Sequence, residues 1–336
     1  LSVRREVIYA TNKVHSEAHG GERNGVELVR YADGLFLAID TQRYGSDLVA
    51  PEESVKELAK NLERRVATNG ALTGVDTGLT TLNEMTGGWQ AGDLILVAAR
   101  TSMGKTALGL GMAVKAAQSG VPVAFFSLEM SREQVQYRLL SYLSGVMMFR
   151  LMRGWLGAAD YEKIAVAMEA MHALPIYIDD TAKLTANEMR SKCRRLKAAS
   201  GLGLIVTDYV QLMSSSGGRQ KGVTRSEELG EISRRQKMIA KELHVPLVSM
   251  AQLSRAPDGR SDSRPRLSDI RESGALEQDA DAVLMIHRKD HKESGECELI
   301  LEKQRNGPTG PFQVNFDRDT TTFTDWTNPD VPEGQP

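Results

Sequence analysis

What this 336-residue chain lacks narrows its class first. It has two cysteines, Cys193 and Cys297, without a CxxC spacing. That argues against a disulfide framework or a cysteine-built zinc site and suits a reducing cytosol. No apolar run reaches the ~18 residues that a membrane-spanning helix needs, so no membrane partner is expected. The opening residues, Leu-Ser-Val-Arg-Arg-Glu, carry no signal-peptide pattern. The chain opens on Leu1 and not on Met, so further residues are expected upstream. An excess of one charge is missing too: 42 Lys and Arg stand against 44 Asp and Glu, a net charge of −2. The chain is not a globally basic nucleic-acid binder, and any nucleic-acid surface must be local. There is no internal repeat and no low-complexity tract.

What remains is an ordinary globular composition, 41% hydrophobic, long enough for one large α/β domain and a smaller appendage. Apolar residues at i, i+3, i+4 spacing predict helices over 3–18, 26–39 and 53–65, the first two joined by a Gly-rich turn. Residues 68–74 read as a polar hinge. Strands are expected over 93–99, 121–127, 176–178, 202–207 and 246–250, alternating with helices over 106–115, 131–143, 161–172, 184–198 and 227–243. Such alternation predicts a mostly parallel sheet flanked by helices, preceded by a small all-α segment. After Ala280 only strands follow, over 282–286, 297–302 and 312–316, which predicts a closing antiparallel edge. The tail from Thr327 is rich in proline and poor in apolar residues, and is expected to be disordered.

The most informative stretch is Ala99-Arg-Thr-Ser-Met-Gly-Lys-Thr106. Strand, tight loop, Gly-Lys-Thr and helix in that order form the context of a phosphate-binding P-loop. Gly104 lets successive N–H groups of Ser102, Met103, Gly104 and the helix start, through Ala107, face a phosphate. Lys105 supplies a point charge for the β- and γ-phosphates, and the Thr106 hydroxyl suits Mg²⁺. Ala99 stands where the full pattern has Gly, which requires a negative φ there.

Other candidates lie at strand ends. Asp208 closes the strand over 202–207, where ligands bind in open α/β sheets, and suits a metal-holding carboxylate. Glu129, after the neighbouring strand, reads either as the base that activates a water or as a carboxylate at a helix N-terminus. Gln252 reads either as an amide that reports the γ-phosphate or as a turn glutamine. Between 254 and 279 lies a long polar segment with Arg255, Arg260, Arg264, Arg266 and Arg271, interleaved with Asp258, Asp262 and Asp269. It reads either as a phosphate-backbone contact or as a solvated charged loop; lacking aromatics, it does not suggest base stacking. Lys303 and Arg305 flank Gln304 just past a strand and share one side, either as surface cations or as a pair that reaches a neighbouring subunit's γ-phosphate.

Taken together, the segments over 74–83, 99–106, 126–131, 207–213, 231–234, 251–255, 267–281 and 303–310 resemble, in order, those of the DnaB family of replicative DNA helicases. These are hexameric ring motors of bacteria and their phages. Leu267-Ser-Asp-Ile-Arg-Glu-Ser-Gly-Ala-Leu-Glu-Gln-Asp-Ala-Asp281 and Lys303-Gln-Arg-Asn-Gly-Pro-Thr-Gly310 are the most specific. The resemblance implies a RecA-like motor that hydrolyses ATP with Mg²⁺ at subunit interfaces of a homo-hexamer and pulls single-stranded DNA through a ring. It implies catalytic roles for Lys105, Thr106, Glu129, Asp208, Gln252 and Arg305. It further implies metal binding by Thr106 and Asp208, nucleotide contacts for Arg138, Lys303 and Arg305, and DNA contacts for Arg271, Glu272 and Gly274. Residues 1–46 resemble the end of the family's N-terminal domain, 47–73 a linker helix and hinge, 74–326 the motor, and 327–336 a tail. Primase and a helicase loader are implied partners where the N-terminal domain is present, and the bacterial cytoplasm is the implied location. Thr101 stands where the family more often has Pro. The rival from another class is a RecA-type recombination ATPase that forms a filament on DNA.

Overall fold

The structure, a computed structural model, describes residues 2–20, 24–43, 50–67, 72–214, 223–254, 264–270, 274–288 and 295–327. The chain divides into two compact units, Leu1–Ala71 and Leu72–Pro336.

The first unit is helical: α1 (Ser2–Gly20), α2 (Gly25–Arg43) and α3 (Pro51–Ala67). Asn24 starts α2 by accepting the Glu27 amide at 2.9 Å while the Glu27 carboxylate accepts the Asn24 N–H at 3.1 Å, a reciprocal cap. α1 and α2 lie against each other. α3 begins on Pro51 with Glu52 and Glu53 in its first turn, where a fixed φ and negative charge both favour a helix start. Its apolar residues Val55, Leu58, Leu62 and Val66 fall on one face and are exposed.

The second unit opens with α4 (Thr80–Thr86), then β1 (Leu94–Ala99), α5 (Lys105–Gln118), β2 (Val123–Ser127) and α6 (Arg132–Ser144). There follow α7 (Met148–Arg153), α8 (Ala158–Ala173), β3 (Ile176–Asp179), α9 (Ala186–Ser200), β4 (Leu204–Asp208), α10 (Arg225–Leu243) and β5 (Leu247–Gln252). α11 (Gly274–Asp279), β6 (Ala282–His287), β7 (Gly295–Gln304), β8 (Gly310–Asp317) and β9 (Thr322–Asp325) complete it. One nine-stranded sheet runs in the order β3-β2-β4-β5-β1-β6-β7-β8-β9, parallel through β6 and antiparallel beyond. The α/β expectation therefore holds, with one correction. The strand over 282–286, expected within the antiparallel edge, pairs parallel with β1. The physical reason is α11, a single short helix inside the arginine-rich segment, which returns the chain to the same end of the sheet before β6 begins.

β1 is buried along its whole length, which explains its unbroken apolar run. Ile95, Val97 and Ala99 face a core shared with α5, while Leu94, Leu96 and Ala98 face one shared with α9 and α10. Because β1 lies inside the sheet, the loop at its carboxyl end has neighbours on both sides. No described helix is long and apolar enough to cross a membrane.

Candidate functional site

The loop after β1 is built by two left-handed residues, Ser102 at φ +65° and Gly104 at φ +103°. A Cβ on Gly104 would lie 2.9 Å from the Phe323 ring, so both the backbone angle and the space call for glycine. Ala99 lies outside the left-handed region, as its side chain requires. Gly104 is also the N-cap of α5 and offers no side-chain acceptor to the first turn of amides. Those N–H groups face an incoming anion together with the positive end of the helix.

Beneath the loop, the Thr106 hydroxyl donates to Asp208 Oδ2 at 2.7 Å. Asp208 is fully buried, and its Oδ1 has no hydrogen-bond partner. Burial raises its pKa; the Thr106 bond opposes that rise, nearby Glu129 adds to it, and Lys105 and Arg138 work against it. Lys105 is buried as well, which lowers its pKa against the pull of Asp208 and Glu129. Its Nζ lies 5.2 Å from the centre of the Tyr209 ring, and the Asp208–Tyr209 peptide is cis. Arg138 on α6 is placed likewise: burial lowers its pKa, the same two carboxylates oppose this, and its buried Nε lacks a partner.

Glu129 follows β2 and is exposed toward the same space. The turn that carries it is fixed by Leu128 N–H to the Asp208 carbonyl at 2.7 Å and Ser127 Oγ to the Met130 carbonyl at 2.7 Å. The cap of α6 is Ser131, boxed with Gln134, so helix capping does not occupy Glu129. Gln252 ends β5 and donates from Nε2 to Thr101 Oγ1 at 2.9 Å. Its backbone is gripped by Gln211, whose side chain accepts the Gln252 N–H and donates to the Gln252 carbonyl, both at 3.2 Å.

These groups surround a cleft of about 680 Å³. Of the residues singled out from sequence, Ser102, Gly104, Lys105, Thr106, Ala107, Glu129, Arg138 and Gln252 line it. Asp208 lies under its floor, and the Met103 side chain turns into the core. Sequence reading missed Arg288, Phe316, Arg318 and Thr321, which line the cleft from the ends of β6 and β8. The Arg288 guanidinium stacks 4.2 Å from the Phe316 ring centre. No local motif marks these four; β6, parallel to β1, brings Arg288 to the loop, and the fold of the antiparallel edge brings Phe316, Arg318 and Thr321.

Lys303 and Arg305 do not line this cleft. Lys303 Nζ donates to the Glu277 carbonyl at 2.5 Å, at the end of α11, and burial lowers its pKa. Arg305 pairs with Asp281 at 3.2 Å, beside Leu94 at the start of β1. The cleft opens past the other end of that strand. Five steps of ~3.3 Å from Leu94 to Ala99 put about 16 Å between the two ends. Arg271 and Glu272 lie outside the described residues, as do Arg255 and Arg260; Gly274 is the first residue of α11.

Residues 74–325 match the DnaB-like helicase C terminal domain family. Replicative DNA helicase DnaB of Leifsonia xyli subsp. xyli is 38% identical over 327 residues, which cover 96% of this chain and 71% of that protein. Replicative DNA helicase DnaB of Geobacillus stearothermophilus is 39% identical over 328 residues, covering 96% and 72%. Among solved structures, one ATPase domain superposes with a TM-score of 0.78 at 32% identity, covering 84% of this chain and all of that one. A DnaB-like replicative helicase, described with its interactions with primase, superposes at 0.82 with 29% identity, covering 97% and 76%. A cleft behind a P-loop, the sheet order and these likenesses converge, and the chain belongs to the DnaB family of replicative DNA helicases.

Proposed function

We propose that the cleft hydrolyses ATP with Mg²⁺, and that six copies close into a ring around single-stranded DNA so that each cleft is completed by its neighbour. The donor set fits the metal: a buried carboxylate oxygen without a partner, Asp208 Oδ1, lies beside a hydroxyl at the mouth of a P-loop. Thr106 and Asp208 would hold the ion, which when bound would supply positive charge against the negative charge that develops on the transferred phosphate. The amides of Ser102 through Ala107 cradle the phosphates, and Lys105 and Arg138 supply positive charge in a cleft where burial makes charge count. Glu129, exposed and free of a capping role, takes the proton of the attacking water. Gln252 turns its amide from Thr101 toward the γ-phosphate.

The observation that carries the ring is the distance along β1. Lys303 and Arg305 stand a full strand length from their own cleft, so they serve a nucleotide only on another copy, as an arginine finger does. The exposed apolar face of α3 supports residues 47–73 as the linker that docks on the next subunit, with 1–46 as the end of the N-terminal domain, 74–326 as the motor and 327–336 as a tail. Arg271, Glu272 and Gly274 precede or start α11, to which Lys303 is bonded, and we assign them to the DNA backbone in the channel. Primase and a loader are partners where the N-terminal domain is present; the DnaB-like structural relative is described with its interactions with primase. Buried free thiols and bacterial relatives support a cytoplasmic location.

The test is particle symmetry by electron microscopy with an ATP analogue and single-stranded DNA, paired with mixing of Arg305→Ala and Lys105→Ala chains. A six-fold ring, and turnover in the mixture that departs from either variant alone, are expected. An open filament, or full turnover by a solitary copy, overturns the reading.

A further inference from the structure

The Asp281 carboxylate does more than pair with Arg305. It is buried and takes two hydrogen bonds and an ion pair. Leu94 N–H donates to Oδ2 at 2.8 Å, Lys237 Nζ donates to the same oxygen, and the Arg305 guanidinium meets Oδ1 at 3.2 Å. The main chain repeats the link, with Arg305 N–H on the Asp281 carbonyl at 2.9 Å and Asp281 N–H on the Leu94 carbonyl at 2.8 Å. Lys237, on α10, also donates to the Gly92 carbonyl at 2.8 Å and lies 3.8 Å from the Asp93 carboxylate. Two acids thus face two cations.

The two cations are not held alike. The Lys237 side chain is 18% exposed, whereas that of Arg305 is 53% exposed and follows the end of a strand. Lys237 is fixed by three oxygen-bearing partners and stays as the counter-ion of the buried acid. Arg305 is half in solvent, a long side chain with many rotamers to choose from. Asp281 grips both its backbone and its guanidinium.

The geometry points to Asp281 as the positioning residue for Arg305: it limits where the guanidinium can stand at the exposed end of β7, while Lys237 keeps the carboxylate compensated when Arg305 turns to a phosphate. This rests on the reading that Arg305 serves the neighbour's nucleotide. The work of such a finger depends on placement. Its presence is worth about 10³–10⁵ in turnover, and a shift of about 1 Å in a reacting group costs on the order of 10².

Asp281→Asn keeps the shape and removes the charge. On the full chain assembled with single-stranded DNA, kcat for ATP should fall about 10- to 100-fold while KM stays within about twofold, because the P-loop end of β1 is untouched. Added to Arg305→Ala, the same change should do nothing further, since no guanidinium remains to be placed. Asp281→Glu keeps the counter-charge for Lys237 and is the second variant should the Asn form not fold; it should give a smaller loss of kcat, again absent on the Arg305→Ala background. Wild-type kcat in both Asp281 variants overturns the proposal. So does an equal further loss on the Arg305→Ala background, which marks a role in folding alone. If Arg305→Ala itself turns over normally, it is the trans reading of Arg305 that falls first.

Discussion

At its carboxyl end β1 opens onto polar groups that are buried without partners, Asp208 Oδ1 and Arg138 Nε. At its amino end the Asp281 carboxylate takes two hydrogen bonds on one oxygen and an ion pair with Arg305 on the other. Both ends hold clustered charges close to a buried acid, so charge alone does not distinguish them. The partners of the two acids do. Buried polar groups are nearly always paired in a folded protein; Asp208 keeps one oxygen without a hydrogen bond, open to an incoming ligand, whereas Asp281 is engaged by its neighbours and holds them still.

The contrast is disturbed most strongly from the amino end. Arg305→Ala leaves the cleft intact, so nucleotide affinity measured by a fluorescent ATP analogue should be unchanged, while steady-state turnover of the ring falls by about 10³ or more. Next comes Glu129→Gln at the carboxyl end. It keeps size and removes the base, and phosphate release should slow by about 10²–10⁴ with the analogue still bound.

A third change separates stability from activity. Burial raises the Asp208 pKa above its ordinary 3.8. The folded chain therefore keeps this proton where the unfolded chain has lost it, and the carboxyl's contribution to stability falls as pH rises from 3.8 through the raised value. At pH 7 this cost is present. Asp208→Asn retains an acceptor for Thr106 and should raise the melting temperature at pH 7, by ~2–4 °C for each kcal/mol relieved. The gain should vanish in acid, where both states are protonated, and ATP hydrolysis should be lost throughout. The same exchange at the amino end, Asp281→Asn, should lower the melting temperature. The mildest of these changes is Thr101→Val, which removes one hydrogen bond of the Gln252 amide at an exposed position. A single such bond is worth about 0.5–1.5 kcal/mol, so nucleotide affinity by titration should move no more than about tenfold.

How much of this was legible in sequence follows from how local each feature is. The strand, loop and helix over 93–115 are contiguous, and their chemistry reads directly. Asp208, Glu129 and Gln252 were legible because parallel strands put their carboxyl ends side by side. That rule needs only the strand ends, not the strand order. Lys303 and Arg305 were marked by resemblance, and only the geometry shows that their own cleft is out of reach. Phe316, Arg318 and Thr321 were not legible, because they arrive through the antiparallel edge, and nothing near them in sequence records which turn closes over the loop; Arg288 was missed because its strand was read as part of that edge, whereas β6 pairs parallel with β1 and ends beside the loop. Three short helices were missed, α11 inside the segment read as a long polar loop and two others for related reasons. α7 spans six residues with no full apolar period. α4 is rich in threonine and is started by a distant side chain, since Asp325 accepts Thr80 N–H at 2.7 Å and the Thr80 hydroxyl at 2.6 Å.

That last contact, together with Phe323 against Gly104, sets an order of events during synthesis. A ribosome that has just released the glycine loop must add more than two hundred further residues before Phe323 and Asp325 emerge. At ~5–20 residues per second this takes roughly 10–40 s. For that interval the nascent motor carries a glycine loop without the ring that packs beside it and a helix with no cap. Loss of β9 and the turn before it would strand every finished chain in the same half-made condition.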